Sequence, residues 1–180
     1  TGGSKGIGLA VAQRFLAEGA KVIIVSRSTD NLDDARRKLN VDDQRLRTLT
    51  ADLRDPQQAI QVVNAAAAQW GELDILINSA GDAKRRPPEE LDSAAWHAAL
   101  DAKYFTYIHT QDAVLARWRN SETRGAIVNV VGTGGRVPNA SHAAGGAANA
   151  ALLLSTIALA QHYAKRGIRI NAVNPGFTLT

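Results

Sequence analysis

Gly2, Gly6 and Gly8 punctuate the opening octapeptide Thr1-Gly2-Gly3-Ser4-Lys5-Gly6-Ile7-Gly8, just ahead of a helical pattern. Glycines at this spacing let a backbone turn tightly, approach an anionic group closely and pack a following helix whose first amides face that group. The chemistry implied is the holding of a pyrophosphate, with Gly2, Ser4, Lys5, Gly6, Ile7 and Gly8 as its cradle. A second determinant follows the apolar run Val22-Ile23-Ile24-Val25, where an acidic side chain would accept hydrogen bonds from a ribose 2′-hydroxyl. Ser26-Arg27 stands there instead, and Arg27, aided by Lys5, suits a 2′-phosphate. That pair of cations points to NADP, with NAD the second choice. Metal chemistry has no such support: the chain has no cysteine, and His97, His109 and His162 lie on helical patterns without ligand spacing to a partner.

These residues need elements to position them, and strand and helix patterns alternate along the chain. Leu9, Val11, Ala12, Phe15 and Leu16 repeat at helical spacing before a capping Gly19; residues 31–40, 56–70, 94–118 and 143–165 read as further helices. Residues 22–25, 46–50, 74–78, 126–131 and 169–174 read as short strands rich in β-branched residues, as strands covered on both faces should be. Alternation of this kind predicts an α/β doubly wound parallel sheet, a Rossmann fold, forming a single domain over residues 1–180. The chain opens on the phosphate loop without the strand that normally precedes it and stops within the loop begun by Asn174, so it reads as truncated at both ends.

Composition narrows the partners. The net charge of +4 is dispersed, with acids interleaved among the bases over residues 30–54, so there is no stripe for nucleic acid. No uninterrupted apolar run approaches the roughly 18 residues of a membrane span, and no signal-peptide pattern opens the chain. A soluble, cytoplasmic protein acting on a small molecule is the expectation, consistent with the absence of cysteine.

Three further segments follow the glycine loop in order: Asp52-Leu53, Asn78-Ser79-Ala80-Gly81 and Asn174-Pro175-Gly176, each just after or at the end of a predicted strand. Together with Thr1–Gly8 they resemble the short-chain dehydrogenase/reductase family along the whole chain. The resemblance implies that Asp52, with Leu53, lies at the adenine and that Asn78, Ala80 and Gly81 support the sheet beside the cofactor. It also implies that Pro175 and Gly176 lie near the nicotinamide and that Thr178 or Thr180 holds its amide. It further implies a homodimer or homotetramer built on the fourth and fifth helices of that family.

The family's reaction ordinarily uses a Tyr-xxx-Lys pair, a serine and an asparagine, and this sequence departs from all four. Register places Gly145 and Asn149 at the pair, Gly132 at the serine and Lys103 at the asparagine. Tyr104, Tyr107 and Tyr163 are followed four residues later by Ile108, Gln111 and Gly167, so no Tyr-xxx-Lys exists. Lys103 enters the same pocket with Tyr107 on its helical face, giving a relocated acid that donates directly or through Tyr107. His142 and Thr133 are the other candidates for lost acid and hydroxyl, and residues 82–88 and 136–142 form the visible pocket rims. The leading expectation is an NADP-dependent oxidoreductase transferring hydride to or from a carbonyl, alcohol or imine through a non-standard site. The alternative is an inactive NADP-binding sensor or partner subunit, and a lyase or isomerase on the same fold is a third reading.

Overall fold

The computed structural model of the chain describes residues 1–82 and 84–179. Helix α1 (Gly6–Ala17) buries Gly8, Ala12 and Leu16, one face at a spacing of four, and ends before Gly19, whose φ of 88° is the left-handed conformation glycine adopts freely. Strand β1 (Val22–Ser26) is followed by α2 (Thr29–Leu39), which the Ser28 hydroxyl caps by accepting the Asn31 N–H at 3.2 Å and Asn40 closes with φ 47°. Strand β2 (Leu46–Thr50) leads to α3 (Pro56–Trp70), with Asp55 as cap and proline in its first turn. Strand β3 (Ile75–Asn78) precedes α4 (Ser93–Ala99) and α5 (Thr106–Arg119), then come β4 (Ala126–Val130), α6 (Ala143–Tyr163) and β5 (Arg169–Val173).

Every strand pairing is parallel. β1 pairs with β2, and β4 lies between β3 and β5. The two groups meet at the amino end, where the Thr1 nitrogen donates to the Ile77 carbonyl at 2.7 Å and the Gly2 N–H donates to the Val25 carbonyl at 2.9 Å. Beside this junction the facing edges of β1 and β3 border a cavity of about 390 Å³. The predicted doubly wound α/β architecture is therefore what forms, and helix and strand bounds agree with the sequence pattern to within a few residues.

A buried polar ladder fixes the register of β3 against β4. Asn78 lies opposite Asn129 and donates to its side-chain oxygen at 3.0 Å, while Thr110 donates to the Asn78 oxygen at 2.8 Å. Asn129 in turn donates to Gln111 at 3.1 Å and to Thr156 at 2.9 Å, tying α5 and α6 to the sheet. Satisfied networks of this kind specify one arrangement, because slipping any strand leaves several buried amides unpaired.

The structure adds two features to the sequence pattern. The predicted helix over residues 94–118 is interrupted by a π-turn, Leu100–Phe105, in which the Thr106 hydroxyl bonds the Asp101 carbonyl at 2.9 Å. Helix α6, with the short turns around it, is long and apolar enough to cross a membrane by length and composition alone. In this fold it packs against β5 and the residues after β4, burying Ala148, Leu152 and Tyr163 together with polar Asn149 and Thr156.

Candidate functional site

The carboxyl ends of β1, β2 and β3 open onto one cleft of about 480 Å³, lined by Gly2, Arg27, Asp52, Leu53, Ala80 and Gly81 among others. Ligands in open α/β sheets bind at such carboxyl ends, where the chain turns to opposite faces. Two glycines decide the shape of the turn beneath it. Gly2 adopts φ 65°, and a Cβ there would lie 2.7 Å from the Ala80 nitrogen; a Cβ on Gly8 would overlap the Gly2 carbonyl oxygen. The loop therefore packs backbone to backbone and leaves the N-terminal turn of α1 open, a cradle that fits a pyrophosphate. Within it Ser4 is buried with its hydroxyl bonded to Ser26 at 3.2 Å, Lys5 is the exposed residue preceding α1, and Gly6 and Ile7 form the first turn.

The other expected cofactor residues divide by environment. Asn78 is fully buried and committed to the polar ladder, so its part is to hold β3 and β4 beside the cleft. Asp52 accepts from Arg54 through both carboxylate oxygens, and this pairing holds its carboxyl below the ordinary range. Sequence reasoning missed Arg54; the signal was an Asp-x-Arg tripeptide in a tight turn, whose spacing lets the guanidinium fold back. Pro175 accepts the Thr133 N–H at 3.1 Å, Gly176 is open to solvent, and Thr178 is exposed with its hydroxyl on the Gly176 carbonyl. The expected role of Thr180 lies outside the described residues.

Lys103 is the buried charge of the site. The π-turn carries it inward beneath Gly81, where it is 9 % exposed and its Nζ donates to the Tyr107 hydroxyl at 2.8 Å and to the Val130 carbonyl at 2.9 Å. A Cβ on Gly81 would lie 2.8 Å from Lys103 Cδ and 3.6 Å from Nζ, so glycine at that position of the cleft wall leaves room for the lysine packed behind it. An ammonium has three donors, and two are used. Burial brings the Lys103 pKa down to about 8.

Tyr107 shares the face of Lys103, as its spacing of four predicts, but its chemistry differs from the expected relay. Its hydroxyl donates to the Val130 carbonyl at 2.6 Å, and burial raises its pKa, so its proton is held by the backbone. Tyr107 is an anchor for the amine.

The remaining candidates surround this pair without joining it. His142 immediately precedes α6, partly buried, with no partner for its Nδ1 among the described residues; burial, and then the charges of Arg85 and Lys103, lower its pKa and favour the neutral ring. Thr133 is exposed on the turn after β4, and its hydroxyl is not brought to Lys103. Gly132 adopts φ 114°, where a serine would be strained, and a Cβ on Gly146 would meet the Gly134 carbonyl at 2.9 Å, so the turn rests directly on α6. Gly145 and Asn149 are buried beneath it, and the Asn149 Oδ1 has no partner among the described residues.

A dinucleotide-binding α/β fold with a proton-carrying side chain beside the cleft defines the class, a nucleotide-dependent oxidoreductase. The family model described as short chain dehydrogenase matches residues 1–180. The cis-4-hydroxycyclohexanecarboxylate dehydrogenase of Sinomonas cyclohexanicum is 34 % identical over 181 residues, which are 100 % of this chain and 72 % of that protein. A crystal structure of a short chain dehydrogenase from Bacillus anthracis superposes with a TM-score of 0.91 at 30 % identity, over 97 % of this chain and 71 % of that one. An NADPH-bound short chain oxidoreductase from Pseudomonas aeruginosa PAO1, described as containing an atypical catalytic center, superposes with a TM-score of 0.91 at 29 % identity, over 99 % of this chain and 70 % of that one. The chain belongs to the short chain dehydrogenase family, whose members bind a nicotinamide cofactor.

The depressed pKa of Lys103 makes a prediction about stability. Because the folded pKa lies below that of an exposed lysine, the unfolded chain binds more protons between about pH 8 and 10.5, and the lysine's destabilising contribution is present below pH 8 and lost as pH rises through that window. Lys103→Met, which removes that charge, should therefore raise the unfolding free energy measured in urea at pH 7, by up to about 3 kcal/mol from the size of the shift. That advantage should shrink toward pH 10. An advantage independent of pH, read by denaturation at both pH values, would contradict the assignment.

Proposed function

We propose that the protein is an NADP(H)-dependent oxidoreductase interconverting an alcohol and a carbonyl, or reducing an imine, with Lys103 as its acid and base. The observation that carries this reading is the Lys103 amine, buried against Gly81 with one donor uncommitted and a pKa of about 8. The groups that family members ordinarily use are replaced by Gly132, Gly145 and Asn149, which have no acid to offer. The name of the Sinomonas relative, a dehydrogenase of a hydroxy acid, supports a hydroxyl or carbonyl substrate, and the NADPH and atypical center of the Pseudomonas structure support both the cofactor and the departure.

The bound nicotinamide would supply or accept the hydride. This chain's part is to orient the substrate oxygen toward Lys103 and to move one proton at Nζ. In reduction the N–H proton passes to the oxygen as it gains charge, and the neutral amine left behind is stabilised by its buried setting. In oxidation the neutral amine removes the hydroxyl proton. Tyr107 and the Val130 carbonyl keep Nζ in place through both steps.

Preference for NADP rests on Arg27 and Lys5. The nearest carboxylate in the cleft, Asp52, is already satisfied by Arg54, so Arg27 faces a 2′-phosphate without an acidic rival at the end of β1. We also place the protein in the cytoplasm as a homodimer or homotetramer, a reading supported by the cysteine-free sequence and by exposed Leu154 and Ile157 on α6. The sensor alternative has no observation of its own, since a non-catalytic protein gains nothing from a destabilising buried amine.

Two outcomes follow. Lys103→Met should lower kcat for NADPH oxidation by about 10²- to 10⁴-fold, the usual contribution of a positioned acid, with the Kd for NADPH little changed. In the parent protein, carbonyl reduction should fall above about pH 8 and alcohol oxidation should rise through the same region; turnover unchanged in the variant would remove Lys103 from the mechanism. Arg27→Ala should weaken NADPH binding by about tenfold, as for loss of a charged hydrogen bond, while leaving NADH nearly unaffected. Equal losses for the two cofactors, measured by fluorescence titration, would place Arg27 outside the 2′-phosphate site.

A further inference from the structure

The segment after β3 reads Lys84-Arg85-Arg86-Pro87-Pro88, three successive cations ended by two prolines. Pro87 has φ −63° and ψ 151°, and a residue before proline is itself restricted to extended backbone. Extended chains send alternate side chains to opposite sides. Accordingly Lys84 and Arg86 both line the cleft that Gly81 and Ala102 line, whereas the Arg85 guanidinium lies over the Phe177 ring, 6.0 Å from its centroid.

The rim is tied down before any ligand arrives. The Arg86 N–H donates to the Ser141 carbonyl at 2.9 Å, joining this segment to the turn that leads into α6, and the Asp82 N–H bonds the Ala102 carbonyl at 3.4 Å, next to Lys103. The Arg85 guanidinium lies near the exposed Phe177 ring, beyond β5. These contacts hold Lys84 and Arg86 on the cleft that Arg27, following β1, also lines.

Their charge is not neutralised within the protein. Every ion pair among the described residues lies elsewhere, and none uses Lys84, Arg85, Arg86 or Lys103. Of the two acids that line the cleft with them, Asp52 is paired with Arg54 and Asp82 makes no ion pair with any of them. The effect reaches past the rim, since the charges of Arg85 and Lys103 both bear on His142 and favour its neutral ring. The same cleft is lined by apolar Leu91, Ala95 and Ala99.

We infer that the substrate is an anion: a hydroxy or oxo acid whose carboxylate is held by Lys84 and Arg86 while its apolar body lies on the alanine wall and its oxygen reaches Lys103. The inference rests on the hydride-transfer reading of the same site and names the substrate class for it. Two cations on a preformed rim recognise a carboxylate at little ordering cost. The cofactor's own phosphates have other partners, the glycine loop and Arg27.

The test pairs each of a panel of linear and cyclic oxo acids with its own methyl ester, so that charge changes and shape scarcely does. Binding is read as thermal stabilisation of the NADPH-loaded protein, and turnover as NADPH oxidation. Acids should stabilise more than esters and show a KM about tenfold lower, the scale of one charged hydrogen bond. The double variant Lys84→Ala, Arg86→Ala should erase that difference by raising the KM of the acids to that of the esters; both side chains are exposed, so folding is not at stake. Esters that bind and turn over as well as acids, acids that fail to bind at all, or a double variant that still prefers acids would each overturn the inference. Acids that bind through Lys84 and Arg86 without NADPH oxidation would uphold the anion site and remove the hydride-transfer reading instead.

Discussion

A single ammonium group, Lys103 Nζ, is held out of water between the Val130 carbonyl and the Tyr107 hydroxyl, and much of the local structure exists to keep it there. Burying an amine is unfavourable unless its donors are matched, and the chain matches two of them and leaves the third without a partner among the described residues. The π-turn sets the lysine on the inner face of the kinked helix, Thr106 closes the carbonyl that the widened turn releases, and Gly81 gives up a side chain so that the lysine has room behind the cleft wall. π-turns inside helices recur at functional sites because they reorient one side chain without breaking the helix. The Asn78–Asn129 ladder then holds β3 and β4 in the register that places Gly81 over Lys103 and the Val130 carbonyl beside it.

The same economy appears where side chains are missing. Gly132 at φ 114° and the contact of the Gly134 carbonyl with Gly146 bring the turn after β4 down onto α6. A group that both gives and takes a proton near pH 8 needs no second acid of its own.

Much of this was legible in the residues, for physical reasons. Buried parallel strands leave short β-branched runs, and caps such as Ser28, Asp55 and Asn40 mark helix ends, so the elements and their order follow from the pattern. The glycine loop was legible because its glycines are needed at fixed points, as the overlap of a Gly8 side chain with the Gly2 carbonyl shows. The pairing of Lys103 with Tyr107 followed from helical spacing. Its direction did not: whether the phenol passes a proton on or holds the amine depends on the position of the Val130 carbonyl, on a strand remote in sequence. The π-turn was hidden because one inserted residue barely disturbs a periodicity averaged over the helix. Arg54 and the cleft-facing pair Lys84 and Arg86 lie in loops, where charge is common and only the backbone's course decides which side chains turn inward.

The direct test of the account is the titration of the Lys103 amine itself, followed by NMR of Nζ-labelled lysine in the NADPH complex, with Lys103→Met identifying the resonance. The account predicts one lysine titrating near pH 8, well apart from the rest. A Lys103 that titrates with the exposed lysines, above pH 10, would contradict it.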